Sequence, residues 1–192
     1  MTEVGPEAEM SVRVTRRRFT VDEYERMGAV GILGEDDRVE LIEGEIVQLA
    51  PIGSRHADAV RRLTMLLARA VGDRAVVSVQ NPVRLGRYSQ PQPDLAVLRP
   101  RSYAAAHPGA ADILLVIEVV ETTGAYDRGV KLPLYARAGV REAWVVDVES
   151  GTVDQYRTPT PAGYRDVRRY TRGEEVRSEA LPDVAVPVEA LD

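Results

Sequence analysis

The chain alternates short apolar runs with segments whose apolar residues recur at helical spacing. The apolar runs have strand length and lie at residues 75–80, 94–98, 113–120, 143–148, 153–157 and 164–170, the last as an outer strand. Helical spacing covers residues 55–71, and a further helix is expected around Lys131, ending at Gly139. This mixture predicts an α/β fold with a central mixed β-sheet flanked by helices.

Capping and turn residues predict two elements that precede these strands. The sequence TVDE at residues 20–23 has the form of a capping box, which predicts a short N-terminal helix ending near Gly28. A hairpin is expected over residues 38–49. Ser54 is the candidate N-cap of the helix at residues 55–71.

Composition limits the class of protein. With 192 residues, of which 44% are hydrophobic, the chain can bury one core, so residues 19–192 are expected to form a single domain behind a flexible tail at residues 1–18. The absence of cysteine excludes disulfides and thiolate metal sites and is typical of a reducing cytoplasm. No apolar stretch resembles a signal peptide or a membrane span. We therefore expect a cytoplasmic protein with no membrane partner.

The basic residues are almost all of one type. Among 25 lysine and arginine residues, Lys131 is the only lysine. An ammonium is a compact charge whose pKa responds to burial, whereas a guanidinium is a planar fork that is always charged. Lys131 is therefore a candidate for chemistry. The alternative is a single lysine that survived by chance on a solvated helix face.

Two carboxylates stand at apolar strands, where an unpaired charge is costly. Glu118 interrupts the run at residues 113–120, which is typical of a strand covered on both faces, so its carboxylate needs a cationic partner or a metal. Asp94 stands at the mouth of the strand at residues 94–98, which is entered through prolines. If the two strands pair, Asp94 and Glu118 converge on one divalent cation. Their hard oxygen atoms favour Mg²⁺ or Mn²⁺ over Zn²⁺.

The order of these residues resembles that of a known nuclease superfamily. Pro93-Asp94, then Glu118, then Lys131 are similar to the PD-(D/E)XK nucleases, and more closely to their Uma-type group of proposed restriction endonucleases. The closer resemblance spans residues 19–170 and is carried by 38–45 (RVELIEGE), His56, 80–83 (QNPV), 93–97 (PDLAV), 117–119 (IEV), 126–135 and 138–147 (AGVREAWVVD). It implies a restriction-endonuclease-like core to which the N-terminal helix and hairpin are added.

The position of the lysine departs from the superfamily pattern. In that pattern the lysine lies two residues after the strand carboxylate, a place that Val120 occupies here. In the Uma-type group the lysine lies on the following helix, and Lys131 fits that placement. Pro133 interrupts the expected helix, because proline has no backbone donor. The helix is therefore expected either to start near Gly129, with Pro133 in its first turn, or to be kinked.

The resemblance implies an endodeoxyribonuclease that uses a metal ion to hydrolyse phosphodiester bonds in DNA. Asp94, Glu118 and the backbone carbonyl of Val119 would hold Mg²⁺ or Mn²⁺, which polarises the phosphate and lowers the pKa of a bound water. Lys131 would position that water and offset the negative charge that develops on the phosphate oxygens.

Further residues of the resemblance have both a functional and a structural interpretation. Glu40 is a candidate catalytic residue, or it is an exposed carboxylate on a hairpin strand. His56 would contact a phosphate or a metal-bound water, or it is structural. Gln80 would orient water or substrate, or it is an ordinary amide at a strand end. The side chains expected to support Lys131 are Tyr126, Asp127, which is alternatively a helix N-cap, and Tyr135.

The net charge is unusual for a nuclease. It is −5 at pH 7, whereas phosphate contacts usually come from a basic surface. The arginine clusters either assemble into a basic face or form separate solvated surfaces, at residues 13–18, 61–62, 84–87 and 165–172.

Two functions therefore remain open. The acidic charge and the missing lysine at Val120 favour a catalytically inactive module that binds nucleic acid or protein. The intact set of Asp94, Glu118 and Lys131 favours the enzyme. A homodimer is compatible with the enzyme, because paired active sites often carry out two-strand cleavage.

Overall fold

The predicted α/β architecture, with its N-terminal helix and hairpin, is confirmed. The computed structural model describes residues 15–34, 36–121 and 124–191, and residues 1–14 of the predicted tail lie outside these ranges. In chain order the helices and strands are α1 (Val21–Ala29), β1 (Val39–Ile42), β2 (Glu45–Gln48), α2 (Ser54–Val71), β3 (Val76–Val79), β4 (Leu95–Leu98), β5 (Ile113–Val120), α3 (Leu132–Arg137), β6 (Glu142–Asp147), β7 (Thr152–Thr160), β8 (Gly163–Tyr170), β9 (Glu175–Arg177) and β10 (Ala185–Pro187). The capping box at Thr20 and Glu23 is present, as expected.

A six-stranded mixed sheet forms the centre of the molecule, with the strand order β3-β4-β5-β6-β7-β8. Neighbouring strands are antiparallel except for β5 and β6, which run parallel. A parallel pair requires a connection that crosses one face of the sheet. Here that connection contains α3, so the chain leaves the sheet after Val120, two residues past Glu118, and crosses one face of the sheet before β6.

Two apolar layers cover the sheet. On one face, the apolar side of α2 packs through Leu63 and Leu67 against side chains such as Ile117 and Trp144. On the other face, Leu132 and Tyr135 of the α3 segment pack with Val116 and Val120 of β5 and with residues near the hairpin. From Leu115 onward, alternation along β5 therefore sends odd-numbered side chains toward α2 and even-numbered ones, including Glu118, toward α3.

The hairpin of β1 and β2 turns through two residues with positive φ. Glu43 has a φ of 50° and Gly44 a φ of 86°, which is the turn geometry that matches the twist of a hairpin. A Cβ atom at Gly44 would lie 2.5 Å from the Cβ of Arg18, so this position also needs glycine for the close approach of the preceding chain.

The start of α2 differs from the prediction. Ser54 was expected to cap the helix, but the N-cap is Gly53, which forms no side-chain cap hydrogen bond, and Ser54 is the first helical residue. A Cβ atom at Gly53 would lie 2.2 Å from Oε2 of Glu121, so the adjacent carboxylate favours glycine at the cap. Within the described ranges, none of the helices combines the length and the apolar character needed to span a bilayer.

The helix that carries Lys131 contains a π-helical turn at Asp127–Lys131, directly before α3. The expected start near Gly129 is wrong, because residues 125–126 are already helical. Leu132 donates its backbone N–H to the carbonyl of Asp127, five residues earlier. Since Pro133 has no N–H for a regular bond to the preceding turn, the helix widens there at little further cost in hydrogen bonding.

The small sheet of β9 and β10 was not predicted from the sequence. Its strands are three residues each and pair antiparallel, with Val176 opposite Val186. Both valines are buried in the apolar layer on the α2 face. Runs this short carry too few alternating positions to be distinguished from loop sequence, so only tertiary packing identifies them.

Candidate active site

Asp94 and Glu118 face each other across neighbouring strands. Asp94 directly precedes β4, and the antiparallel register pairs Leu95 with Ile117, so one further step places Asp94 opposite Glu118. Oδ2 of Asp94 accepts a hydrogen bond from the backbone N–H of Val119 at 2.9 Å, and the N–H of Asp94 makes a long contact of 3.4 Å with Oε2 of Glu118. The sheet thus holds the two carboxylates side by side.

Lys131 points into this pair of carboxylates and away from solvent. Its side chain is 5% exposed, and Nζ lies 2.8 Å from Oε1 of Glu118. Nζ also donates to the backbone carbonyl of Gln92 at 3.2 Å. The alternative of a chance lysine on a solvated helix face is therefore wrong.

Burial sets the protonation of the Glu118–Lys131 pair. Burial raises the pKa of Glu118 to about 8, although the Lys131 ammonium opposes the rise. Burial by itself would lower the pKa of Lys131. The nearby carboxylates of Glu118, Glu40 and Asp127 have the larger effect and raise that pKa above its ordinary value. The lysine therefore stays charged in a site that three carboxylates surround.

His56 and Gln80 both contact Asp94. Nε2 of His56 lies 2.9 Å from Oδ1 of Asp94, and the side-chain amide of Gln80 donates to the same oxygen at 3.3 Å. Burial would raise the pKa of Asp94, but hydrogen bonds from His56 and Val119 outweigh it and hold that pKa below its ordinary value. The same contact raises the pKa of His56, against the opposing effect of burial. Gln80 directly follows β3 with a φ of 50°, a left-handed conformation at the mouth of the site.

Glu40 lies inside the site and not on the surface. It is completely buried, so the alternative of an exposed strand carboxylate is wrong. Oε2 accepts a hydrogen bond from the backbone N–H of Gln92 at 2.9 Å, and Oε1 accepts one from the Tyr126 hydroxyl at 2.7 Å. Oε2 is also 3.9 Å from Nζ of Lys131. Glu40 thus connects the hairpin to the segment that carries Gln92 and Asp94.

Asp127 is part of the site, although it lies at its edge. Its Oδ1 is 3.9 Å from Nζ of Lys131, one helical turn further along. Burial raises the pKa of Asp127, and the nearby carboxylates of Asp94 and Glu40 add to the rise against the opposing Lys131 charge. The alternative role as a helix N-cap is wrong, because Tyr126 precedes the π-helical turn and no side-chain cap bond forms there.

These side chains line one cleft of about 790 Å³. One wall is the segment 49–53 before α2, and the other is the segment that follows β5 and leads into the Lys131 helix. The cleft is also lined by every residue predicted for the site except Glu40, which is absent from the lining: His56, Gln80, Asp94, Glu118, Val119 and Lys131. The sequence-derived candidates therefore converge on one place.

The donor set of the cleft fits a hard divalent cation. Oδ2 of Asp94 and Oε2 of Glu118 each accept only one backbone N–H, so each retains acceptor capacity toward the cleft. Carboxylate oxygens are ligands that Mg²⁺ prefers, and that ion usually keeps several waters. Within the described ranges no group of three or more His, Cys, Asp and Glu side chains is arranged to hold a metal. A cation here would be held by two carboxylates together with backbone and water oxygens.

Sequence reasoning missed two contacts in the site. The carbonyl of Gln92 accepts a hydrogen bond from Lys131, and the Tyr135 hydroxyl donates to Oε1 of Glu118 at 2.5 Å. A backbone carbonyl leaves no signal in a sequence. Tyr135, which was expected to support Lys131, lies four residues after it, and that spacing places both side chains on one helix face.

Some arginines, within the clusters and outside them, pair with nearby carboxylates. Asp58 pairs with both Arg61 and Arg62, and Asp154 pairs with both Arg128 and Arg169. These pairs balance part of the arginine charge within the chain, whereas the arrangement of the clusters stays a prediction.

Comparison with known proteins finds a matching family and a similar fold. Residues 21–189 match the Uma2 family, described as "Putative restriction endonuclease". A crystal structure from Anabaena variabilis ATCC 29413, described as "a putative nuclease belonging to DUF820", is similar with a TM-score of 0.72 and 18% identity, covering 90% of this chain and 97% of that chain. At that identity the likeness shows the fold alone. No protein in the curated set matches the chain significantly.

Proposed function

The chain belongs to the Uma2 family, and on that basis we propose that it is a metal-dependent endonuclease that hydrolyses phosphodiester bonds in DNA. The observation that carries the proposal is the convergence of Asp94, Glu118 and Lys131 in one cleft. These residues come from three separate elements. Burying a lysine between carboxylates costs desolvation free energy that folding alone does not require, so the arrangement favours a functional role.

The two strand carboxylates provide the binding site for the cation. Asp94 through Oδ2 and Glu118 through Oε2, together with the backbone carbonyl of Val119, would hold Mg²⁺ or Mn²⁺. When bound, such an ion polarises a phosphate oxygen and lowers the pKa of a water ligand. His56 and Gln80 hold Oδ1 of Asp94, and Oδ2 accepts only the backbone N–H of Val119, the residue after Glu118.

Lys131 supplies a donor to the reacting groups. An ammonium has three N–H bonds, and Lys131 uses one on Glu118 and one on the carbonyl of Gln92. Among the described residues, the third N–H has no acceptor within hydrogen-bond distance. That proton is available to a water or a phosphate oxygen in the cleft, where the positive charge offsets the charge that develops in the transition state.

A plasmid-nicking assay tests the proposal. Supercoiled DNA incubated with the protein and Mg²⁺ or Mn²⁺ should be cut, and Asp94→Asn or Glu118→Gln should abolish cutting while the fold is kept. Glu149→Gln is the matched control, because Glu149 is an exposed carboxylate in the turn after β6. The ratio of linear to nicked product reports whether two active sites act together.

Two outcomes would contradict the proposal. Equal cutting by the wild type and both site variants would assign the activity to a contaminant. A wild type that binds DNA but cuts none with either metal would favour the inactive binding module.

A further inference from the structure

The two oxygens of Glu118 have different surroundings. Oε1 accepts hydrogen bonds from Nζ of Lys131 at 2.8 Å and from the hydroxyl of Tyr135 at 2.5 Å. Oε2 has only the long contact of 3.4 Å with the backbone N–H of Asp94. Because a carboxylate oxygen has about two acceptor sites, Oε1 is saturated and Oε2 is not.

Tyr135 is fixed where it can impose this asymmetry. It is completely buried on α3, within the apolar layer that also contains Val116 and Val120. Its hydroxyl donates to Glu118, and the surrounding apolar side chains provide no substitute acceptor. A buried hydroxyl without a partner is costly, so the ring and the carboxylate hold each other in one orientation.

A second tyrosine, Tyr126, donates a hydrogen bond to one oxygen of another buried carboxylate, that of Glu40. The Tyr126 hydroxyl donates to Oε1 of Glu40 at 2.7 Å, and Oε2 of Glu40 is held by the backbone N–H of Gln92. Glu40 is therefore bound through both oxygens, whereas Glu118 is bound tightly through one. By the same count each oxygen of Glu40 keeps an acceptor site, but Glu40 does not line the cleft, whereas Glu118 does and its Oε2 lies next to Asp94.

We propose that Tyr135 is a positioning residue that holds Oε1 of Glu118 and thereby reserves Oε2 for the divalent cation. The inference rests on the metal site of the proposed function. Lys131 alone leaves the carboxylate free to rotate about its terminal bond, so that either oxygen could turn to the ammonium. The hydroxyl of Tyr135 adds a second fixed donor and selects one orientation. Groups that orient a metal ligand in this way typically change metal affinity by about 10–100-fold when they are removed.

Mn²⁺ binding to the full chain tests this role without reference to cleavage. The free Mn²⁺ signal in electron paramagnetic resonance gives the dissociation constant of the wild type and of Tyr135→Phe, which removes only the hydroxyl. We expect the variant to bind Mn²⁺ about 10–100-fold more weakly. Tyr164→Phe is the matched control, since it removes a partly buried hydroxyl that donates to the carbonyl of Val140 at 2.8 Å, and it should bind Mn²⁺ as the wild type does.

A double variant separates positioning from a general loss of structure. If Tyr135 acts through Glu118, then Tyr135→Phe should weaken Mn²⁺ binding in the wild type but not further in a Glu118→Gln background. Unchanged affinity in Tyr135→Phe, an equal loss in Tyr164→Phe, or fully additive losses in the double variant would each overturn the inference. So would a wild type that does not bind Mn²⁺. A wild type that binds Mn²⁺ but cuts no DNA would contradict the proposed function and leave the role of Tyr135 standing.

Discussion

At the scale of single residues, the site requires a cationic group of compact dimensions. The Lys131 ammonium contacts Glu118 and the carbonyl of Gln92, with Glu40 and Asp127 each 3.9 Å from Nζ. A guanidinium is planar and broader, and its donors diverge at fixed angles. The space between these groups suits a compact cation, which gives a physical reason for the one lysine in a chain whose other basic residues are all arginine.

The variant Lys131→Arg tests this size requirement. Although the charge is kept, we expect most nicking activity to be lost, because the guanidinium cannot occupy the place of the ammonium without displacing Glu118. The converse change on the same helix, Arg137→Lys, is the control, since Arg137 lies at the surface and pairs with Glu43. A fully active Lys131→Arg protein would show that the lysine contributes only charge.

Several residues of the site were predictable from the sequence because their burial conflicts with their charge. Glu118 within an apolar strand was identified in this way, and Asp94 from its place behind prolines at a strand mouth; the structure brings Glu118 against both Lys131 and Asp94. The division of hydrogen bonds between the two oxygens of Glu118 was not predictable. It depends on the orientation of Tyr135 and on a backbone carbonyl, which only tertiary packing determines.

At the scale of elements, an ion-pair network attaches the π-helical turn to the central sheet. Asp154 on β7 is buried and accepts hydrogen bonds from Arg128 of the turn and from Arg169 of β8. The segment that presents Asp127 and Lys131 is thereby held at the end of β6 and β7. The sequence indicated a disturbed helix at Pro133. A widened turn anchored by Arg128 could not be predicted, because that requires knowing which strands pack beneath the turn.

Acid unfolding tests this network. Burial alone would raise the pKa of Asp154. The hydrogen bonds that it accepts from Arg169 and Arg128 outweigh this effect, so the pKa lies below its ordinary value of 3.8. A lowered pKa in the folded state adds stability above the unfolded-state pKa, and that stability is lost as the pH falls through the folded-state value. Asp154→Asn should therefore lower the free energy of unfolding at neutral pH by about 1–3 kcal/mol and flatten its fall in acid.

The control for this measurement is another aspartate on the sheet. Asp166 pairs with Arg157 across β7 and β8 but is 48% exposed, so Asp166→Asn should cost less than about 1 kcal/mol. Urea unfolding followed from neutral pH into acid gives both quantities. If the two variants lose equal stability and keep the same acid dependence, Asp154 does not anchor the turn.

At the scale of the whole molecule, the chain is acidic, and the cleft shares this excess of negative charge. The net charge is −5, and many of the arginines pair with carboxylates of the same chain. The cleft carries Asp94, Glu118, Glu121 and Asp127 against Lys131 and Arg38. Such a surface attracts a phosphate backbone only weakly by itself. A divalent cation held by Asp94 and Glu118 would offset this excess of negative charge, which the proposed function requires at a site for a phosphate.

The most direct test of this account is the anomalous scattering of a crystal soaked in Mn²⁺. We expect a single strong peak in the cleft, with the metal about 2.0–2.6 Å from Oδ2 of Asp94 and Oε2 of Glu118. The same soak of Glu118→Gln should give a weak peak or none. An empty cleft in the wild type, or a peak bound to other residues while Asp94 and Glu118 remain unliganded, would contradict the assignment of this cleft as the metal site.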